Sequence, residues 1–186
     1  TGGEGSLFHG GLVALLSAVE NEINMVHILF DNRAVAMTGH QASPTTSGRV
    51  DVMSLLLSIG IKQVFKVNAF AATEVEKAIN DAHRLAGVKV VWVTGDCALQ
   101  VNAESARRMR ERTLTIEPSL CGDCQLCYES LQCPAINRIN IASRQLTIDM
   151  DACRRCGACV HICPNDAIKV SDPLYKPKVK TEVANV

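Results

Sequence analysis

Two stretches decide the fold of the last third of this chain: CGDCQLCYESLQCPAI at Cys121–Ile136 and CRRCGACVHICPNDAI at Cys153–Ile168. Their first cysteines lie 32 positions apart, and each copy opens with three cysteines in C-x-x-C steps and closes on Cys-Pro. An internal repeat of this kind predicts a small pseudo-symmetric domain. Eight of the nine cysteines fall between Cys121 and Cys163. That crowding is the spacing of metal ligands rather than of a disulfide framework, and it implies a reducing compartment.

A cubane cluster needs four thiolates around its corners, and cysteines spaced by two residues deliver three of them from one tight loop. In two-cluster proteins of this pattern the cysteine before proline ligates the other cluster. By that rule Cys121, Cys124, Cys127 and Cys163 hold one 4Fe-4S cluster, and Cys153, Cys156, Cys159 and Cys133 hold the second. The first copy departs in one respect. Five residues separate Cys127 from Cys133, where the second copy has three between Cys159 and Cys163, so a two-residue bulge is expected before Cys133. Structural zinc would use the same cysteines in two four-cysteine sites, but it has no need of the interleaved third cysteine or of the Cys-Pro ending. His161, inside the second copy, reads as an exposed spacer. The chemistry implied is electron transfer in single steps.

The rest of the composition narrows the class. With 186 residues, 47% of them hydrophobic, the chain supports one ordinary domain or two small ones. Its formal net charge is zero, which removes the footprint of a nucleic-acid binder. Arg107, Arg108, Arg110 and Arg112 form a basic cluster that a solvated helix face explains. The longest apolar run, Gly11 to Val19, is too short to span a bilayer. The expectation is a soluble cytoplasmic protein with neither nucleic-acid nor membrane partners. The chain opens on Thr1 with no signal-peptide pattern, and truncation of a longer protein is expected.

Ahead of the cysteines, helical and strand patterns alternate, which predicts an α/β domain on a parallel sheet over residues 1–100. Helices are expected at Gly11–Glu22, Val50–Ser58 and Thr73–Leu85, the last opened by a capping box of Thr73 and Glu76. Buried strands are expected at Met25–Phe30, Ile61–Val67 and Val88–Val93. The segment Asp31–Gly48 reads as a long functional loop. Cys97, the ninth cysteine, reads as a small buried residue at the end of an apolar strand. Residues 101–118 are expected to be a helical linker, 119–170 a small α+β domain of ferredoxin type with two 4Fe-4S clusters, and 171–186 an extended surface tail.

At the start of the chain, Gly3-Glu4-Gly5 is followed by 25 residues and then Asp31-Asn32. This resembles the thiamine diphosphate motif, in which an acidic side chain and an asparagine ligate a magnesium ion that carries the diphosphate. Magnesium takes hard oxygen ligands and binds through one or two carboxylates plus phosphates. A glycine turn between strand and helix would also let backbone amides approach phosphate oxygens.

The wider stretches GEGSLFH at Gly3–His9 and DNRAVAMTGHQ at Asp31–Gln41 resemble the thiamine-binding region of the alpha subunits of indolepyruvate ferredoxin oxidoreductases, within the 2-oxoacid:ferredoxin oxidoreductase family. The resemblance continues through Asp96-Cys97-Ala98-Leu99 and into the unequal cysteine copies, and so covers nearly the whole chain. It implies magnesium ligation by the side chains of Glu4 and Asn32 and by the backbone carbonyl of Ala34. It also implies that Gly3 and Gly5 approach the cofactor and that Met37, Thr38 and Gly39 line it. His9 and His40 match family positions near the site, with no catalytic role assigned to either. The departure is Glu4, where the family has aspartate.

The resemblance further implies oxidative decarboxylation of a 2-oxo acid, an arylpyruvate such as indolepyruvate, to an acyl-CoA. Coenzyme A is the co-substrate, and the electrons leave through the two clusters to an external ferredoxin. The partners implied are the missing N-terminal part of the same subunit and a smaller beta subunit. The alternative is an electron-transfer module in which a degenerate α/β domain serves only for docking, and Glu4 is the feature that favours it. A purely structural subunit would have no use for eight ordered cysteines.

Overall fold

The computed structural model describes residues 1–97 and 111–171, and the backbone of 182–185. Among these the chain divides into two compact units. One contains 1–69, 74–97 and 182–185, and the other 70–73 and 111–171.

The larger unit is built on a five-stranded sheet. In chain order its strands are β1 (Gly2–Gly3), β2 (Met25–Asp31), β5 (Gln63–Asn68), β6 (Val88–Thr94) and β11 (Glu182–Asn185), in spatial order β1-β2-β6-β5-β11. The pairs β1–β2, β2–β6 and β6–β5 run parallel, whereas β11 lies antiparallel on β5, with Val183 opposite Phe65. A short hairpin, β3 (Ala34–Val35) and β4 (Gln41–Ala42), interrupts the long loop after β2.

Alternation along β6 explains why this strand reads as an unbroken apolar run. Val88, Val90 and Trp92 join one core with Leu15 and Ala18 of helix α2 (Leu12–Glu20) and with Val52 and Leu56 of α3 (Val52–Ser58). Val91 and Val93 join a second core with Ala78 and Ala82 of α4 (Ala72–His83). A central parallel strand covered by helices on both faces needs apolar residues at every position. Lys89 is the exception, 1% exposed, and its ammonium is held by Asn24 Oδ1 at 2.5 Å and the Leu85 carbonyl at 2.8 Å.

Several boundaries differ from the sequence expectation. Gly3–Gly5 is not a free turn: β1 precedes it and helix α1 (Glu4–Ser6) starts at Glu4, widening into a π turn at Leu7–Gly11 before α2. Gly10 takes φ 155° inside that turn, a conformation open to glycine. Helix α3 begins after Asp51, whose carboxylate accepts from the Met53 N–H at 3.1 Å. Helix α4 starts at Ala72, which puts Thr73 inside its first turn rather than at the cap. The parallel sheet gains an antiparallel edge from the segment expected to be a surface tail. Residues 98–110 and 172–181 lie outside the described residues, and with them Arg107, Arg108, Arg110 and most of the expected linker.

The smaller unit keeps a 32-residue period well beyond its cysteines. Strand β7 (Leu114–Ile116) pairs antiparallel with β10 (Ile168–Val170), and β8 (Ile136–Arg138) with β9 (Leu146–Ile148). Adding 32 to β7 gives β9 and adding 32 to β8 gives β10. The two hairpins are therefore exchanged by a pseudo-twofold relation, with Ile116 opposite Ile168 and Ile148 opposite Ile136. The relation extends to single bonds: Glu117 N–H donates to the Ala167 carbonyl and Asp149 N–H to that of Ala135, both at 2.8 Å. Leu114–Ile116 thus belongs to the repeat and not to a helical linker. Leu114 is buried while Thr115 is exposed, a strand's alternation.

The same period relocates the insertion. Cys127 and Cys159 are 32 apart, as are Ile136 and Ile168, whereas Cys133 and Cys163 are 30 apart. The two extra residues before Cys133 are balanced by two fewer after it. Only the position of the fourth cysteine changes between copies, and the strand that follows keeps its register.

Candidate functional site

In the larger unit, chemistry collects where the parallel strands end. Gly3 pairs with Phe30, which brings Glu4 beside Asp31, and Asp31 pairs with Thr94. The carboxyl ends of parallel strands are where open α/β sheets bind ligands.

Glu4 is buried, 6% exposed. Burial raises the affinity of its carboxyl for a proton above the usual carboxylate range; a bond from its own backbone opposes this, and the charge of Asp31 adds to the rise. Asp31, 3% exposed, is saturated. Its Oδ1 accepts from the Arg33 N–H at 2.9 Å and from Thr45 Oγ1 at 2.9 Å, and its Oδ2 from Trp92 Nε1 at 3.0 Å and Thr94 Oγ1 at 3.4 Å.

That carboxylate organises the long loop. Thr45 donates to it and in turn accepts from the hydroxyl of buried Ser43 at 2.7 Å, while Thr46 Oγ1 closes a turn on the Ser43 carbonyl at 2.9 Å. Asn32 Oδ1 accepts from the Ala34 N–H at 3.1 Å, an Asx turn that, among the described residues, leaves the second lone pair of that oxygen open. The Asn32 carbonyl accepts from the Cys97 N–H at 3.1 Å, and Arg33 Nε lies 3.5 Å from Asp96 Oδ1. Asp31, Thr45 and Trp92 carry this arrangement, and only Asp31 stood in a motif. A polar residue closing an apolar strand, followed by hydroxyl residues in the next loop, was the available signal.

The predicted lining residues fare unequally. Gly39 takes φ 115° and Thr38 closes the tip through Gln41, with its Oγ1 2.7 Å from Gln41 Oε1. Met37 is fully exposed, at 101%, so this unit by itself does not fold it toward Glu4. His9 is exposed and His40 half-buried, with its Nε2 3.6 Å from Cys97 Sγ. Cys97 is half-buried rather than fully enclosed as expected.

The residues suit a magnesium-bound diphosphate. Glu4, the Asn32 amide oxygen and the Ala34 carbonyl are hard oxygen donors, and a buried carboxyl next to a second carboxylate is an environment that a cation relieves. Among the described residues, apart from its own neighbours along the chain, no atom lies within 4 Å of where Gly5 would carry a Cβ, so their packing does not demand glycine there.

In the smaller unit each binding loop is shaped by left-handed residues at matched positions. Asp123 and Arg155 take φ 51° and 57°, and Gln125 and Gly157 take 61° and 77°. Helices α5 (Leu126–Glu129) and α6 (Ala158–Ile162) follow and deliver Cys127 and Cys159. The thiol of Cys127 is faced by those of Cys163, Cys124 and Cys121. Burial first, and then these neighbours, push its proton affinity up. The Cys159 thiol is pushed up to about 12 by burial and by Cys156, Cys153 and Cys133.

Each of these two thiols therefore keeps company with two from its own copy and with the Cys-Pro cysteine of the other. Such thiols ionise readily only beside positive charge, which metal ions supply. Two sulfurs also receive backbone donors, Cys153 from the Arg155 N–H at 3.3 Å and Cys163 from the Ala167 N–H at 3.2 Å. The surrounding apolar residues, Ile116, Ile136, Leu146, Ile148 and Ile168, enclose the thiols. This donor set and cradle fit 4Fe-4S clusters.

Comparison with known proteins agrees with both halves. The chain belongs to the thiamine pyrophosphate enzyme family: the family described as thiamine pyrophosphate enzyme, C-terminal TPP binding domain, matches residues 1–93, and the 4Fe-4S binding domain family matches 146–169. The particular relatives are indolepyruvate oxidoreductase subunits IorA, 30% identical over 175 residues in Archaeoglobus fulgidus and 29% in Thermococcus kodakarensis. Each alignment covers 90% of this chain and 27% of the relative, so the chain spans about a quarter of the relatives' length. A solved 2-oxoglutarate:ferredoxin oxidoreductase from Magnetococcus marinus aligns with TM-score 0.49 at 21% identity, over 59% of this chain and 43% of that one. Among the described residues no helix is long and apolar enough to cross a membrane.

Proposed function

We propose that this chain is the cofactor-binding and electron-exporting part of an enzyme that oxidatively decarboxylates a 2-oxo acid. The substrate is an arylpyruvate such as indolepyruvate, the product an acyl-CoA, and the electron acceptor an external ferredoxin. The observation that carries the proposal is the union, in one chain, of a thiamine pyrophosphate-binding domain with two interleaved groups of four thiols.

When bound, thiamine diphosphate supplies the electron sink for decarboxylation, and the clusters supply one-electron steps. The protein's own part is position and charge. Glu4, Asn32 and the Ala34 carbonyl hold the magnesium, with Asp31 fixing the Asn32–Ala34 turn through the Arg33 N–H. Gly3 and Gly5 leave the diphosphate room, and Met37, Thr38 and Gly39 form the cofactor-facing tip once the rest of the enzyme closes over it. Cys121, Cys124, Cys127 and Cys163 hold one cluster, and Cys153, Cys156, Cys159 and Cys133 the other. The remainder of the subunit, a smaller beta subunit and ferredoxin complete the reaction in the cytoplasm, where thiols stay reduced.

The test is anaerobic reduction of a viologen dye by the intact enzyme with coenzyme A. Indolepyruvate is expected to support it at higher kcat/KM than 2-oxoglutarate, and omission of thiamine diphosphate to abolish it. A preference for the aliphatic acid would overturn the substrate class. Dye reduction or ferredoxin exchange without any thiamine diphosphate binding would favour the docking-module alternative.

A further inference from the structure

We infer that the two clusters of the smaller unit are electrostatically unequal, and that the cluster held by Cys153, Cys156, Cys159 and Cys133 has the higher reduction potential and retains the electron. The inference rests on the two-cluster reading above and deepens it.

Its basis is the 32-residue equivalence, which allows charges to be compared at matched backbone positions. Between the first and second cysteine of each copy stand Gly122-Asp123 and Arg154-Arg155. Asp123 and Arg155 share one left-handed conformation, with φ 51° and 57°, so the same place in the loop carries a carboxylate in one copy and a guanidinium in the other. Both groups are held near the first cysteine. Asp123 Oδ1 lies 4.0 Å from Cys121 Sγ. Arg155 donates from Nη1 to the Cys153 carbonyl at 3.2 Å and from Nε to the Arg112 carbonyl at 3.0 Å.

Two other charges in the copies point the same way, whereas Arg138, 5.1 Å over the Tyr128 ring and matched by Val170, points the other way. Glu129 in α5 is matched by His161 in α6. Asp166 follows Cys163, which crosses to the first cluster, and its N–H contacts the Cys163 carbonyl at 3.4 Å. Arg144, which donates to the Asp123 carbonyl at 3.1 Å, has its own match in Arg112 and does not distinguish the copies. Asp151, matched by Ser119, runs the other way and lies ahead of the first cysteine; like Glu129 and Asp166 it is exposed, so all three count for less than Arg155.

Reduction adds one electron to a cluster and moves no atoms. A fixed cation beside the acceptor stabilises that electron and a fixed anion opposes it, more strongly where water screens less. Arg155 is half-buried and Asp123 exposed, so the arginine contributes the larger effect. Electrons entering the unit therefore settle on the second-copy cluster, and the first-copy cluster is the stronger reductant.

The experiment is a dithionite titration of the anaerobically reconstituted chain, followed by paramagnetic resonance, with iron and sulfide measured first. Repulsion between two added electrons splits the steps even for equal sites, so the readout is which step each variant moves. Arg155→Gln is expected to lower the upper step, changing the electron-sharing equilibrium about tenfold, or about 59 mV for one electron, and Asp123→Asn to raise the lower one by less. Arg154→Gln, on an exposed side chain, is expected to act like Arg155→Gln and guards against loss of the loop's hydrogen bonds. Movement of the lower step by Arg155→Gln or Arg154→Gln, or no movement by any variant in a fully loaded protein, overturns the inference. Iron well short of two clusters overturns the reading beneath it, and the inference with it.

Discussion

Trp92 Nε1 donates a hydrogen bond to Asp31 Oδ2 at 3.0 Å, tying the carboxyl end of the central strand β6 to the carboxylate that closes β2. Both residues are buried, at 8% and 3% exposure. The opposite oxygen of Asp31 reaches Thr45, so one carboxylate joins the sheet to the loop that bears Asn32 and Ala34. A buried hydrogen bond to a charged group contributes about 1.5–3 kcal/mol. Trp92→Phe keeps most of the ring's packing and is expected to lower stability by about that amount. Urea unfolding followed by circular dichroism measures it. A loss well under about 0.5 kcal/mol would mean that Asp31 exchanges this donor freely.

Stability should also depend on pH through His27. Burial lowers the proton affinity of its imidazole. Its Nε2 has no hydrogen-bond partner among the described residues. The depressed folded value means that the unfolded chain takes up this proton first, below about pH 6.5. The contribution of neutral His27 is thus present above that pH and lost as pH falls toward the folded value. The stability difference between pH 7.5 and 5.5 is expected to be smaller in His27→Leu than in the parent chain. Equal slopes in the two proteins would exclude His27 as a source of acid sensitivity.

The proposed crossed ligand sets make a counter-intuitive demand on Cys133. It follows α5 in the first copy, yet its thiol faces Cys159. Cys133→Ala is expected to cost about four of about eight iron atoms and to remove the signal of the cluster held by Cys153, Cys156 and Cys159. Resonance spectra after reconstitution decide it. Loss of the signal belonging to Cys121, Cys124 and Cys127 instead would mean that each copy serves its own cluster.

Glu4 is where thiamine diphosphate binding can be interrogated. Its carboxylate reaches one methylene further than the family's aspartate. Glu4→Asp is expected to keep or strengthen magnesium-dependent binding of thiamine diphosphate, and Glu4→Gln and Asn32→Ala to weaken it at least tenfold, about 1.4 kcal/mol. Iron content should stay the same in all three, because the thiols belong to the other unit. Titration calorimetry of the intact enzyme tests this. If only Glu4→Asp binds the cofactor, the natural chain has lost the site and acts as an electron-transfer module.

The amino-acid sequence by itself determined the class of each half. Regular spacing carries that information: C-x-x-C steps deliver three ligands from one loop whatever surrounds them, and a 32-residue period reports a duplicated unit. Apolar runs such as Val88–Val93 likewise mark strands that must be covered on both faces. Tertiary structure decided what depends on partners distant in sequence. Leu114–Ile116 became a strand because Ile168–Val170 offers it a ladder, and Glu182–Asn185 because the edge of Gln63–Asn68 was open. Asp31 became the organiser of its loop only when folding brought Trp92 and Thr45 to its two oxygens. The match of Asp123 with Arg155 is written in the 32-residue period, but their shared left-handed backbone, φ 51° and 57°, emerged only with the folded loops. Local spacing and loop charge are written along the chain, whereas a buried carboxylate's donors are set by what the fold brings alongside.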